Sequence, residues 1–315
     1  MKGVQTTAQP LDLPRQGIAF VLAGVFVFSV QDAIIKVLSD TYPMHEIVVI
    51  RSALALLPLL AVVQLEGGLA LLRTQRPGLH ILRSGCQFLA YTSFYMAIAA
   101  LPLADAVALA FSAPLFVAAL SGPLLGEPVG PRRWVAVILG FVGVIVMVRP
   151  GAGIVDIAAV LATLGALFYA LSLILTRRLG ATDRGSTIAF YTTAFYLAAG
   201  SLVGLALGRG GQAQQGHASL AFLTRAWVLP QGGDLALIAL IAAIAAAGFY
   251  FLSQAYRLAP AATVVGFEYT AVPLSILWGY LVWRDLPGPH TLAGIFLIVG
   301  SGLYVLKRES ARSHG

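Results

Sequence analysis

Of 315 residues, 59% are hydrophobic and only 10% are charged, with a mean hydropathy of +0.87. A soluble domain carries roughly 25% charged residues, so this composition excludes one and places the chain in a bilayer. The formal charge of +7 does not mark a nucleic-acid binder: Lys and Arg stand singly or in pairs at the ends of apolar runs, with no patch and no interleaved aromatics. The lone cysteine, Cys86, sits in an apolar run without metal-ligand spacing; it reads as a small packing residue, which leaves no internal disulfide and no redox chemistry.

Residues 1–16 form a polar, proline-containing tail. The apolar run after it has no A-x-A-like cleavage site and reads as a retained span, not a signal peptide. A helix needs about 20 apolar residues to cross the hydrocarbon core. On that measure the chain offers ten helices: 17–38, 45–65, 79–100, 103–125 and 133–148 in the first half, and 154–177, 186–207, 234–258, 261–283 and 290–306 in the second. Turn chemistry separates them at 101–103, 126–131, 149–151 and 285–289. The only long connection, 208–233, is rich in Gly and Gln and is expected to lie on the membrane surface with Trp227 and Leu229. With the N-terminus in the cytoplasm, fourteen Lys and Arg face inward, Arg83 among them, against Arg149, Arg209, Arg225 and Arg284 outside. That bias places both termini in the cytoplasm of a multi-pass inner-membrane protein.

Residues 91–150 recur, much altered, at 249–307. From Pro102 and Pro260, a shift of 158 brings Glu127 onto Asp285, Gly130 onto Gly288, Pro131 onto Pro289 and Arg149 onto Lys307. An odd number of spans in each half would insert the halves with opposite topology. The fold class expected is therefore all-α, with ten transmembrane helices as two inverted five-helix repeats. The repeats cover 17–150 and 151–307, flanked by cytoplasmic tails at 1–16 and 308–315.

These features resemble the drug/metabolite transporter superfamily, specifically its EamA-type members. The resemblance is carried by two five-helix halves, the Gly-Glu-Pro-x-Gly-Pro loop at 126–131 and its echo Arg-Asp-Leu-Pro-Gly-Pro at 284–289. It implies a central cavity between the halves, lined by the first, third, fourth, sixth, eighth and ninth helices, and packing or dimer contacts through the fifth and tenth. The second loop departs from the family's acidic residue: Asp285 stands there, preceded by Arg284, and an outer ion pair between the two is expected.

An ionisable group inside a span is expensive, which makes it a site or a buried pair. Asp32 and Lys36 stand four apart on one face, about 6 Å from each other. Three readings stand. They form a structural ion pair, they join Arg51 in a positively biased site for a carboxylate or phosphate, or Lys36 reaches for lipid headgroups. Glu268, about 10 Å into the ninth helix, either carries a proton or meets a cationic solute, or it joins Arg257 or another helix. Pro114 and Pro273 are placed to kink the fourth and ninth helices and free carbonyls at cavity depth. Asp105, Glu127 and Asp285 read as helix or turn caps. Gln87, Tyr91 and Tyr95 make a stripe at four-residue spacing on the third helix; Tyr169 and Ser172 on the sixth, Tyr250 and Gln254 on the eighth, Phe111 and Ser112 on the fourth, and Tyr269 and Trp278 on the ninth add further polar or aromatic groups. Singly each suits packing or an interfacial belt; together they suit a cavity for a flat or amphipathic solute. Gly140, Gly143, Gly294, Gly300 and Gly302 read as close helix packing and a homodimer seam.

No HExxH, GxSxG, metal cluster or Walker loop is present, and the five histidines lie in loops or at helix ends, so neither an enzyme nor an ATP-driven pump is expected, and no cofactor. The reading is a secondary transporter moving a charged, zwitterionic or aromatic metabolite by alternating access, with the solute and the lipid bilayer as its partners. An exporter of hydrophobic drugs, a channel or an auxiliary membrane subunit are the other readings; the last two would show no saturable, competable flux.

Overall fold

The computed structural model describes residues 14–125, 130–148, 156–179, 183, 185–209, 217–259 and 261–313. Glu127, Arg149 and Pro260, used above to align the repeat, lie outside them, as does the side chain of Arg257. The chain is helical, with no strand among the described residues. In order come α1 (Pro14–Leu38), α2 (Met44–Glu66), a 3₁₀ turn (Leu69–Leu72), α3 (Pro77–Ile98), α4 (Leu103–Ala110), α5 (Ala113–Leu125), α6 (Pro131–Val148) and α7 (Ile157–Leu179). They are followed by α8 (Gly185–Leu207), α9 (Ala218–Thr224), α10 (Gly233–Leu258), α11 (Ala261–Glu268), α12 (Ala271–Trp278), a π turn (Gly279–Trp283) and α13 (Pro289–Ser313). Among the described residues, six stretches are long and apolar enough to cross a membrane: Arg15–Leu38, Met44–Glu66, Leu103–Leu120, Ile157–Thr176, Gly185–Leu207 and Gly233–Leu252. Trp134–Val148 and Pro289–Val305 are shorter apolar helices. This is a multi-pass membrane protein.

The expected fourth and ninth helices are each broken once. Pro114 has no N–H for the carbonyl of Ala110, and Pro273 has none for that of Tyr269, so each helix stops and restarts nearby. The breaks are built alike. Ser112 Oγ donates to Leu109 O and Thr270 Oγ1 to Phe267 O, each at 2.7 Å and three residues back. Both ends of α4 map onto those of α11 at the shift of 158, and Ser112 maps onto Thr270 at the same shift. Phe111 and Tyr269, also equivalent, stack with centroids 4.8 Å apart and planes at 30°, so the two breaks meet.

Four helix pairs carry the bundle: α3 on α7, α1 on α10, α6 on α13 and α2 on α8. In the α6–α13 pair, a Cβ on Gly140 would strike Leu115 and Ser301, and one on Gly143 would come within 2.8 Å of Leu297 Cβ. Gly294 lies against Met147 and Gly302 against the Tyr269 hydroxyl, so these glycines serve a seam within the chain; Gly300 faces open space.

The apolar core is continuous at one end and divided at the other. Where α1 ends and α2 begins, Ile35, Leu38, Met44 and Ile47 join Ile98, Leu103 and Ile238 in one cluster. Toward the opposite end it gives way to two separate groups, Val21, Val25, Ala255, Ala259 and Val264 in one and Ala118, Ala136, Val137 and Val305 in the other. The closed end is strapped by the long connection: Arg225 Nη1 donates to Ser39 O at 2.7 Å, Val228 N to Glu46 Oε2 at 2.9 Å, and Trp227 lies on the His45 ring. The expected Arg284–Asp285 ion pair does not form. Arg284, in the left-handed region at φ 61°, holds its guanidinium over the Tyr280 ring at 5.2 Å.

Candidate functional site

The stripe expected on the third helix is the spine of the site. Successive positions four apart on α3 share a face, and that face meets α1, α2, α7 and α8. Tyr95 donates to Asp32 Oδ1 at 2.7 Å and accepts from Gln31 Nε2 at 3.0 Å, which fixes the carboxylate of α1 against α3. One turn back, Tyr91 lies 4.3 Å from the Tyr95 ring and 5.5 Å from that of Tyr196 on α8. The guanidinium of Arg51, from α2, sits over Tyr91 at 4.6 Å from its centroid. Another turn back, Gln87 Oε1 accepts from Ser172 Oγ of α7 at 2.6 Å, and its backbone carbonyl accepts from Tyr196 at 2.8 Å.

Lys36 does not pair with Asp32. Its ammonium donates to Ile98 O at 2.7 Å and to Leu101 O at 2.6 Å, the free carbonyls where α3 ends, and lies 5.2 Å from the Trp283 ring. It fastens α1 to α3, since a cation there complements the helix dipole. Phe111 and Tyr269 pack on each other at the helix breaks, and Ser112 donates to its own helix. Tyr250 is 56% exposed and packs edge-on to Phe20 and beside Phe251, away from the α3 stripe. Trp278 Nε1 donates to Ser29 Oγ at 3.0 Å, tying α12 to α1. A cleft of about 510 Å³ beside it, lined by Leu22, Phe26, Thr270, Pro273, Leu274 and Leu277, is apolar and lies outside the stripe.

Glu268 ends α11 at the second break. It acts electrostatically on Tyr169 of α7, which is 43% exposed, and Arg83 acts on the same hydroxyl. Tyr169 therefore feels both a cation on α3 and an anion on α11. Arg83, counted above only as a topology charge, continues the stripe one turn below Gln87 and is joined to Thr176 of α7 and Thr192 of α8. Gln31, Tyr196, Thr176 and Thr192 were not singled out from the sequence. Each stands on a helix facing α3, and single residues there carry no periodic signal.

The arrangement leaves polar groups for a ligand. Among the described residues, the Tyr91 hydroxyl and the side-chain carbonyl oxygen of Gln31 are buried with no protein partner; the Gln254 carbonyl oxygen is unpartnered too, but stands on α10 outside the α3 stripe. Arg51 makes no hydrogen bond or ion pair among the described residues, although it lies within a membrane-crossing helix. A half-buried cation without an acceptor in such a helix is costly unless something answers it. Aromatic walls with unused donors and acceptors suit a small organic solute. Among the described residues no group of His, Cys, Asp and Glu could hold a metal.

Comparison with known proteins agrees with this architecture. Residues 15–149 match the model of the EamA-like transporter family. The chain is 32% identical over 245 residues to a riboflavin transporter of Rhizobium johnstonii, covering 78% of this chain and 75% of that protein. It is 30% identical to a pseudopaline exporter of Pseudomonas aeruginosa, covering 92% and 95% respectively. It is 25% identical to an S-adenosylmethionine uptake transporter of Rickettsia conorii, covering 93% of each. One solved crystal structure covers 96% of this chain and 99% of its own at a TM-score of 0.62 and 17% identity, a likeness of fold alone. With the polar stripe inside an apolar bundle and relatives of this identity and coverage, the chain belongs to the EamA-like transporter family and is a transporter, not an enzyme.

Proposed function

We propose that this chain is a ten-pass secondary transporter of the inner membrane, built from two inverted five-helix repeats with both termini in the cytoplasm. It moves a small charged or aromatic metabolite by alternating access. The repeat is supported by the common shift of 158 between α4 and α11 and between Ser112 and Thr270, together with the stacking of Phe111 on Tyr269. Alternating access is supported by a core that is continuous at one end and divided at the other. Solutes of the relatives, named for riboflavin, pseudopaline and S-adenosylmethionine, mark the range from which this chain's own solute would come.

The single observation that carries the reading is Arg51 over Tyr91, a cation within a membrane-crossing helix that, among the described residues, meets no acceptor, beside a tyrosine hydroxyl with no partner among them. Purified protein in liposomes should take up one member of a panel of amino acids, flavins, nucleosides and sulfonium compounds saturably and with competition. Flux that never saturates, or none at all, would remove the transporter reading. Glu268, at the break between α11 and α12, is the group placed for coupling. Glu268→Gln should lower proton- or cation-driven uptake at least tenfold with yield and melting unchanged; undiminished uptake takes Glu268 out of the mechanism.

A further inference from the structure

We infer that Arg83 is the anchor for an anionic group, carboxylate or phosphate, on the transported solute; the inference rests on the transporter reading and narrows its substrate class. Arg83 lies about 9 Å above the start of α3, and Glu268 about 10 Å above the start of α11, by the rise of an α-helix. Both are thus within the apolar bundle, on the side where the core is divided.

The guanidinium is oriented by two groups that can only accept. Thr176 Oγ1 donates its proton to Ser172 O at 2.7 Å, and Thr192 Oγ1 donates its own to Ile188 O at 2.7 Å. Each hydroxyl therefore turns a lone pair toward Arg83, which donates through Nε to Thr176 at 3.0 Å and through Nη1 to Thr192. Helices α7 and α8 hold the fork in a fixed plane, while its remaining N–H groups meet no acceptor among the described residues. Its electrostatic neighbours are the hydroxyls of Tyr169 and Tyr196, and it makes no ion pair among the described residues. A guanidinium needed only for topology would extend to the headgroups; this one is half-buried and held inward. Its planar fork is preorganised for a carboxylate or phosphate, and two neutral acceptors leave its charge unanswered. Tyr169 beside it and Tyr91 two turns above offer faces for a ring attached to the anion.

The test uses paired solutes that differ by one anionic group: riboflavin and its 5′-phosphate, adenosine and adenosine 5′-monophosphate, tryptamine and tryptophan. Binding to the detergent-purified full chain is read by saturable thermal stabilisation. The anionic member of at least one pair should bind about tenfold more tightly, and Arg83→Gln should bring the two members within about twofold. Arg83→Lys keeps the charge without the fork and should retain part of the preference. Should Arg83→Gln not yield folded protein, Thr176→Val with Thr192→Val should weaken the preference severalfold by releasing the guanidinium. A preference untouched by whichever of these variants folds, or equal binding of the two members of every pair that binds, overturns the assignment while leaving the transporter reading in place. If no member of any pair binds, while another solute shows saturable uptake in liposomes, Arg83 is not an anchor for this class. If nothing is taken up at all, the transporter reading fails and this inference with it.

Discussion

Two seams of the bundle share a backbone and differ in chemistry. In the α3–α7 seam, Gly165 lets α7 approach Ala90 and Phe94; in the α1–α10 seam, Gly24 lets α1 approach Leu252 and Phe251. Phe94 and Leu252 are related by the shift of 158, so each glycine faces the same position of the repeated stretch. The side chains along it are not repeated. Arg83, Gln87, Tyr91 and Tyr95 on α3 correspond to Ile241, Ala245, Phe249 and Ser253 on α10. Ile241 and Ala245 are buried apolar groups, and Val21, Val25 and Ala255 form a small apolar cluster in that seam. A repeated backbone contact thus carries a one-sided polar stripe: repeating the scaffold does not require repeating the side chains along it.

The largest effect should come from the shared feature. A Cβ on Gly165 would sit 3.2 Å from both Ala90 O and Phe94 N, which are backbone and cannot turn aside; on Gly24 it would meet Leu252 Cδ2 at 3.1 Å, which can. Overpacking costs roughly 1–3 kcal/mol, so Gly165→Val should fall at the upper end and Gly24→Val at the lower, measured by melting in detergent. Equal losses would mean that the two seams do not differ in this respect. The next effect separates their chemistry. Gln87→Leu removes the amide at the centre of the stripe, yet Ser172 Oγ can still donate to Tyr169 O at 2.8 Å, so no buried donor is orphaned. Uptake should fall about tenfold with little change in melting. Gln254→Leu on α10 removes a carbonyl oxygen that has no partner, so melting should hold or rise and uptake should change less than twofold. A larger loss of uptake from Gln254→Leu than from Gln87→Leu would reverse the assignment of the site to one side.

The class of fold was legible because hydropathy is written along the whole chain, and the shift of 158 was legible because turns at Pro102, Pro131 and Pro289 punctuate it. Pro114 and Pro273 marked where the fourth and ninth helices lose regularity, since a missing N–H has a local consequence, but they read as kinks and the structure has full breaks. What failed was charge. Asp32 and Lys36 share a face by spacing, but spacing along α1 says nothing about α3, whose terminal carbonyls and Tyr95 hydroxyl draw the two residues apart. Arg83 has the right four-residue spacing to Gln87 but was counted only among the inward charges that set topology. Its two threonines, on α7 and α8, could be joined to it only in three dimensions.

Lys36 gives the smallest and most discriminating test of that one-sidedness. Its hydrogen bonds to Ile98 O and Leu101 O hold α1 against the end of α3 at the closed end of the core. A hydrogen bond to a charged group contributes roughly 1.5–3 kcal/mol, part of it offset here by desolvation of the ammonium. Lys36→Met keeps the aliphatic stem in its packing and loses both bonds. Melting should fall by the equivalent of about 1–2 kcal/mol while the concentration for half-maximal uptake stays within twofold, because Asp32 keeps its bond from Tyr95. If Lys36 instead met the solute, half-maximal uptake would move severalfold while melting held. That outcome would extend the site from the α3 stripe to the end of α1 and return Lys36 to the binding residues.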